Sequence, residues 1–224
     1  MVVLATKCYV EGAARERALD SLDSLVANDA GDLDVSWEVG VRDDDFPTVT
    51  VEGPDATVAR NLLREEWGEV TTHRDPGERY VGTLEGWDDG GFVLDAGDPV
   101  RVPADELGLG AGDPSQIRRR FGLVQHVPLR FVAGGDDEPP RPADAERDRL
   151  YDWTRGAGRV NVNSATRAEV RATVNRAGHA RDIVTVERLG LLEQSIVCRE
   201  ETDPPGLLAS IGQHLPAELL CVVP

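Results

Sequence analysis

Val35-Ser-Trp-Glu-Val-Gly-Val41, the polar turn Arg42-Asp-Asp-Asp-Phe-Pro47 and Thr48-Val-Thr-Val51 form the stretch on which the fold turns. Val35, Trp37, Val39 and Val41 alternate with polar residues, the period of a half-buried strand, and Thr48–Val51 is its hairpin partner. A helix is expected on either side. Before the hairpin, Ala14, Ala18, Leu22 and Leu25 recur at helical spacing within Ala13–Val26, preceded by an apolar strand at Val2–Val10. After it, Asp55 stands as a cap for a helix running to Glu66, with Val58, Leu62 and Leu63 on its apolar face. A short closing strand fits Gly68–Thr72.

The same order returns near the end of the chain. A helix is expected over Ala145–Trp153, a strand at Arg159–Val162 and a helix at Ala165–Ala177. Strands then follow at Ile183–Arg188 and Leu192–Arg199, a helix at Pro205–Leu215 and a last strand at Leu219–Val223. The β-α-β-β-α-β succession is the ferredoxin-like split βαβ pattern, an antiparallel four-stranded sheet with both helices on one face. It is expected over residues 1–72 and again over 147–224.

Between the two, residues 78–132 read as short strands around Gly-rich turns. Tyr80–Trp87 leads through Asp88-Asp-Gly-Gly91 into Phe92–Asp95, and Val100–Val102 and Val127–Val132 follow, with a short helix at Pro114–Gly122. Such a pattern suits a small barrel. Residues 133–146, with Gly-Gly, three successive acids and three prolines, read as a linker.

Charge separates these units. The chain has 224 residues, 41 acidic against 24 basic, and Lys7 is its sole lysine. A formal charge of −17 with arginine as almost the only cation is the surface chemistry of a protein working in molar salt. There the Debye length falls to about 3 Å and carboxylates serve to hold water and cations. The composition is therefore expected of a cytoplasmic protein from an extreme halophile, and its acidity does not exclude an anionic partner. Residues 1–70 carry 16 acids and 6 bases, whereas residues 153–224 carry 8 of each. No run of 18 apolar residues exists for a membrane helix, and the first residues lack the form of a signal peptide.

The neutral C-terminal third holds the strongest candidate for ligand contact. Between Trp153 and Arg181 stand Arg155, Arg159, Arg167, Arg171, Arg176 and Arg181 against one acid, Glu169. Arg167, Arg171 and Asn175 fall at i, i+4 and i+8 on a polar helix face, and the guanidinium fork suits phosphate. The competing reading is a solvated face paired with neighbouring acids. In Arg118-Arg119-Arg120 three successive helical arginines splay around the helix, so only some of them, with Arg119 and the strand residue Arg101, can face a ligand. Cys8, Cys198 and Cys221 form no CxxC pair, and His73, His126, His179 and His214 have no metal-ligand spacing. With no GxSxG, Walker A or GxGxxG motif, neither an enzyme nor a cofactor is expected.

Gly82-Thr-Leu-Glu-Gly86, Asp-Gly-Gly-Phe-Val-Leu-Asp-Ala-Gly97 and Val-Arg-Val-Pro-Ala-Asp-Glu-Leu107 together resemble the S1-type RNA-binding OB fold. That resemblance implies a barrel face on which bases stack. Of its two aromatics and histidine Phe92 stays, Asp89 and Pro103 replace the others, and Trp87 and Tyr80 are substitute stacking surfaces. The expected fold class is thus α+β, two ferredoxin-like units flanking a small S1/OB-like barrel. Thr202-Asp-Pro-Pro-Gly-Leu-Leu-Ala-Ser-Ile-Gly212 resembles the strand-to-helix turn of ACT domains, which implies a small effector at Asp203 and Gly206; a capped helix start is the plainer reading. Ala59–Gly68, Gly90–Gly97 and Arg181–Asp203 resemble an uncharacterised archaeal family, a domain of unknown function. The expected function is a non-enzymatic accessory protein of transcription or translation that binds RNA or a ribonucleoprotein or polymerase machine. The alternatives are a protein–protein adaptor on such a machine, and an ACT-like effector-binding module.

Overall fold

The computed structural model describes residues 1–136 and 138–224. In the first unit β1 (Val2–Val3), α1 (Gly12–Ala30), β2 (Ser36–Val41), β3 (Pro47–Glu52) and α2 (Ala56–Trp67) build an antiparallel sheet of order β1-β3-β2 under two helices. The hairpin pairs Trp37 with Val51 and Val39 with Val49, so its apolar period faces the helices. Val49, Val51, Ala18, Leu22, Leu63 and Trp67 form the core beneath them.

Three expectations change here. The strand foreseen over Val2–Val10 stops at Val3, because Lys7, Cys8 and Tyr9 leave the sheet: Cys8 N–H donates to the Asp45 carbonyl, and the side chains on either side reach other units. The closing strand is reduced to one bridge, Leu4 with Glu69. Val58 and Leu62 point outward, since Ala56, Ala59, Leu63 and Trp67 take the buried stripe of α2.

The central unit is a curled half-barrel of five antiparallel strands: β4 (Arg79–Asp88), β5 (Gly91–Asp95), β6 (Pro99–Pro103), β7 (Pro128–Val132) and β8 (Arg141–Pro142), in the order β6-β5-β4-β7-β8. Gly91, at φ 133°, makes the β4–β5 turn, where a Cβ would strike the Val102 carbonyl. The strands close around Leu84, Phe92, Leu94, Val102 and Phe131, and α3 (Pro114–Arg120), opened by a capping box on Asp113 and Gln116, plugs one end. The expected linker is largely structured. Phe131 and Val132 pair with β8, Ala143 is buried, and α4 (Asp144–Trp153) sends Leu150 and Trp153 into the central core. Asp137 of that segment lies outside the described residues. Helix α4, expected with the last unit, thus belongs to the middle one.

The last unit contains β9 (Arg159–Val162), α5 (Arg167–Arg176), β10 (Ile183–Arg188), β11 (Gln194–Cys198), α6 (Pro204–Gly212) and β12 (Leu219–Val222). Its antiparallel sheet has the order β10-β11-β9-β12. Val160, Val162, Ile196, Val170, Val174, Leu207 and Ile211 fill the space between sheet and helices. The opposite face is covered as well: Asn161, fully buried, donates to the Gly122 carbonyl at 2.8 Å, and Val222 joins the central core.

Candidate functional site

The arginines singled out in the sequence divide by their partners. Arg155 pairs with Asp152 at 3.2 Å. Arg159 pairs with Glu187 at 3.0 Å, and its guanidinium lies 4.7 Å from the ring centroid of Trp153. Burial disfavours its charge more than Glu187 restores it, so its pKa falls below the usual arginine value. Arg171 and Arg176 are exposed and have no carboxylate within 4.0 Å among the described residues. Arg167 lacks one too; its Nε donates to the Val186 carbonyl at 2.6 Å. The turn of the helix places Arg176 well away from the line of Arg167 and Arg171.

The central candidates fare differently. Phe92 is 2 % exposed inside the half-barrel and offers no stacking surface, a correction that follows from its inward strand register opposite Val102. Trp87 is covered by the Arg118 guanidinium, 3.7 Å from its ring centroid, so it too is unavailable to a base. Arg118 is buried on Glu218, Arg120 is tied to the Leu109 and Ala111 carbonyls, and Arg119 alone of the three is exposed and unpaired among the described residues. Arg101 pairs with Asp88. Asp203 caps α6 by accepting from Gly206 N–H at 3.1 Å, and both residues line an open hollow of about 590 Å³ together with His179, Arg181 and Arg199.

What the fold assembles instead is a groove. Arg149 and Trp153 of α4, Arg159 of β9, Arg167 of α5 and Arg188 of β10 line an open cleft of about 720 Å³. Arg149 and Arg188 also line an adjoining, more closed cavity, with Arg130 of β7 and Thr6, Trp67 and Gly190. Four guanidinium groups therefore line the open cleft, beside the carboxylates of Asp148, Asp152 and Glu187, and three line the adjoining cavity, which is walled by all three units. Two tryptophans hold three of these arginines in place: Arg149 and Arg159 lie over Trp153, and Arg188 lies 4.0 Å from the centroid of Trp67. A guanidinium stacked on an indole keeps its N–H edge free to donate. Glu66, Glu146 and Glu187 pair with Arg188, Arg149 and Arg159. Arg130, Arg149 and Arg188 escaped sequence reading because they lie far apart in the chain and outside its basic stretch.

A second polar cluster, also unforeseen, locks the units together around Lys7–Tyr9. The bulge in β4 makes Glu85 the extra residue and turns it toward Lys7 and His126. Burial opposes the charge of Lys7, yet the hydrogen bond to Asp95 at 2.7 Å and the pull of both carboxylates raise its pKa. Glu85 is desolvated too, but hydrogen bonds from His126 and Thr83 lower its pKa on balance. Tyr9 stacks on His126, accepts from Ser164 N–H at 2.8 Å and donates to Glu193 at 2.8 Å. Glu193 is fully buried, and desolvation pushes its pKa up to about 8. His126 and Ser164 both have positive φ, as does Asp45, which holds Cys8. Non-glycine residues adopt that region only where surrounding contacts over-determine it. The one signal available beforehand was that Lys7 is the sole lysine.

His179 links Asp182, at 2.6 Å from Nδ1, and Ser210, at 2.9 Å from Nε2. The order Ser-His-Asp is that of a hydrolase relay. Ser210, however, lies inside α6, whose backbone N–H groups are spent on helix bonds, and the donors of its first turn go to Asp203. His179 thereby ties the exit of α5 to α6.

Fold and groove together define a three-unit α+β protein with an arginine-lined cleft between its units. Models for three domains match nearly its whole length: the DUF2110 N-terminal domain over residues 1–73, the DUF2110 central domain over 74–154 and the DUF2110 C-terminal domain over 157–223. The chain belongs to the DUF2110 family, a domain of unknown function. No curated protein matches it. Among the described residues no helix is long and apolar enough to cross a membrane.

Proposed function

We propose that this protein is a non-enzymatic nucleic-acid-associated factor that holds the backbone of an RNA strand in the inter-unit groove. The observation that carries the reading is the gathering of Arg130, Arg149, Arg159, Arg167 and Arg188 around two adjoining hollows in a chain of net charge −17. Arg167 and Arg171, without carboxylate partners among the described residues, extend it along α5. Because Phe92, Trp67 and Trp153 are buried, phosphates rather than bases are what this surface meets, and binding is tolerant of sequence. Counterion release contributes little in molar salt, so bidentate hydrogen bonds to phosphate supply most of the affinity. The strand orders favour ferredoxin-like outer units, and the curled sheet an S1/OB-like centre. The charge pattern favours a salt-adapted archaeal cytoplasm and a role in transcription or translation.

The test is retention of single-stranded RNA in molar KCl by filter binding. Arg167→Ala with Arg171→Ala, both exposed, should lower affinity at least tenfold with the circular dichroism unchanged. Absence of binding by the wild type, or equal binding by the double variant, defeats the reading. Exposed Val58 and Leu62, one turn apart on α2, favour the adaptor as second reading. In that case partners taken from extract survive nuclease, and Leu62→Asp releases them.

A further inference from the structure

We propose that the closed end of the groove is a phosphate site. This inference rests on the reading of the groove and names the group that its inner end receives. The cavity measures about 190 Å³, below the roughly 300 Å³ at which pockets begin to take whole organic ligands. It holds an oxyanion and excludes a nucleoside. Three guanidinium groups face it from three elements, Arg130 of β7, Arg149 of α4 and Arg188 of β10.

Two of the three are fixed before any ligand arrives. Arg188 is clamped between the Trp67 ring and Glu66. Arg149 is held by Trp153 and Glu146, and its Nε is buried without a hydrogen-bond partner among the described residues. Arg130 stands 3.7 Å from Glu146, too far for a good hydrogen bond, and Oε2 of that fully buried carboxylate has no donor among the described residues. Three positive groups thus share two carboxylates, leaving a net positive cavity in a strongly acidic protein. Tetrahedral phosphate oxygens accept from such donors in the geometry a guanidinium fork prefers. Gly190 forms part of the wall, and its own packing against Pro128 and the Glu193 carboxylate leaves no room for a side chain.

The cavity communicates with the open groove through Arg149, Arg188 and Leu189, which line both. A strand lying in the groove would therefore end here, placing a terminal phosphate monoester among the three arginines. Free inorganic phosphate presents the same chemistry.

The experiment compares one 12-nucleotide RNA carrying a 5′-phosphate, a 3′-phosphate or hydroxyl ends, together with inorganic phosphate alone followed by thermal shift. All arms are run in molar KCl on the wild type, Arg130→Gln and Arg130→Lys; Arg130 is half exposed, and circular dichroism checks the fold. One phosphorylated strand should bind at least tenfold more tightly than the hydroxyl-ended strand. Arg130→Gln should erase the difference between the phosphorylated and the hydroxyl-ended strand, and Arg130→Lys should keep part of it. A phosphate-dependent rise in Tm that Arg130→Gln abolishes, without binding of any strand, supports the site for the free anion and removes the groove reading. Equal binding of all three strands with no thermal shift from inorganic phosphate overturns the phosphate site and leaves the groove standing.

Discussion

The first and last units run through the same succession of strands and helices, yet they complete their cores in opposite ways. The last sheet has four full strands, and both its faces are covered, by its own helices on one side and by the central unit on the other. The first has three strands and a single closing bridge, and its outer face carries Ser36, Glu38, Thr48 and Thr50 toward solvent. Its helix-side core is finished by a borrowed piece: Leu191 and Leu192, from the turn between β10 and β11, are 1 % exposed within it. Thr6 Oγ1 accepts from Leu191 N–H at 2.8 Å, and Tyr9 reaches Glu193 beside it. Similar element order therefore does not imply similar independence. The last unit lends a turn to the first and takes a cover from the centre, so the groove has walls that cannot drift apart cheaply.

The comparison is broken most directly by Trp153→Ala, which removes the indole packed under the last sheet. A loss of about 3–5 kcal/mol is expected in urea unfolding, against about 0.5 kcal/mol or less for Glu38→Ala on the open face of the first sheet. Equal losses would mean the covered face matters no more than the open one. Next comes Leu191→Ala, expected to cost about 2–5 kcal/mol and, by hydrogen exchange, to loosen residues 1–73 more than the unit that contains it.

The joint also has a pH dependence with a definite sign. Glu193 titrates near 4.5 when unfolded and at about 8 in the folded protein. Between those values the folded state binds the extra proton, so this group's contribution to stability falls as pH rises from 4.5 to 8 and levels beyond. The slope is at most about 1.4 kcal/mol per pH unit. Glu193→Gln, compared with the wild type by thermal melts across that window, should flatten the curve; an unchanged slope would place the proton elsewhere.

A smaller effect is expected from Asn161→Ala. It leaves the Gly122 carbonyl without its donor, a cost of about 1–3 kcal/mol, whereas Thr50→Ala on the open face should stay within about 0.5 kcal/mol. The most graded test is salt. Lowering KCl to 0.1 M lengthens screening to about 10 Å. The first unit, with 16 acids and 6 bases in residues 1–70, should lose amide protection before residues 157–223. If the last unit opens first, charge does not set the order.

By itself the sequence determined the local elements and their succession. The alternation over Val35–Val51, the spacing of Ala14, Ala18, Leu22 and Leu25, the Asp88–Gly91 turn and the cap at Asp203 act through near neighbours, so they can be read from the chain; Asp55, expected as a cap, instead accepts from Asp34 N–H and makes no cap bond. It also determined where charge is excessive and where it is balanced. Tertiary structure decided which side chains remain available. Phe92 and Trp87 look like stacking surfaces in sequence and are consumed by packing. Arg155 and Arg159 look free and are paired, while Arg130, Arg149 and Arg188, scattered through the chain, meet in one cavity. The fate of Lys7, Tyr9 and Glu193 was equally hidden, since 184 residues separate the Tyr9–Glu193 pair. Period and propensity report what a residue does to its own turn or strand. Pairing, desolvation and convergence depend on which distant surfaces are pressed together, and only the packed chain fixes that.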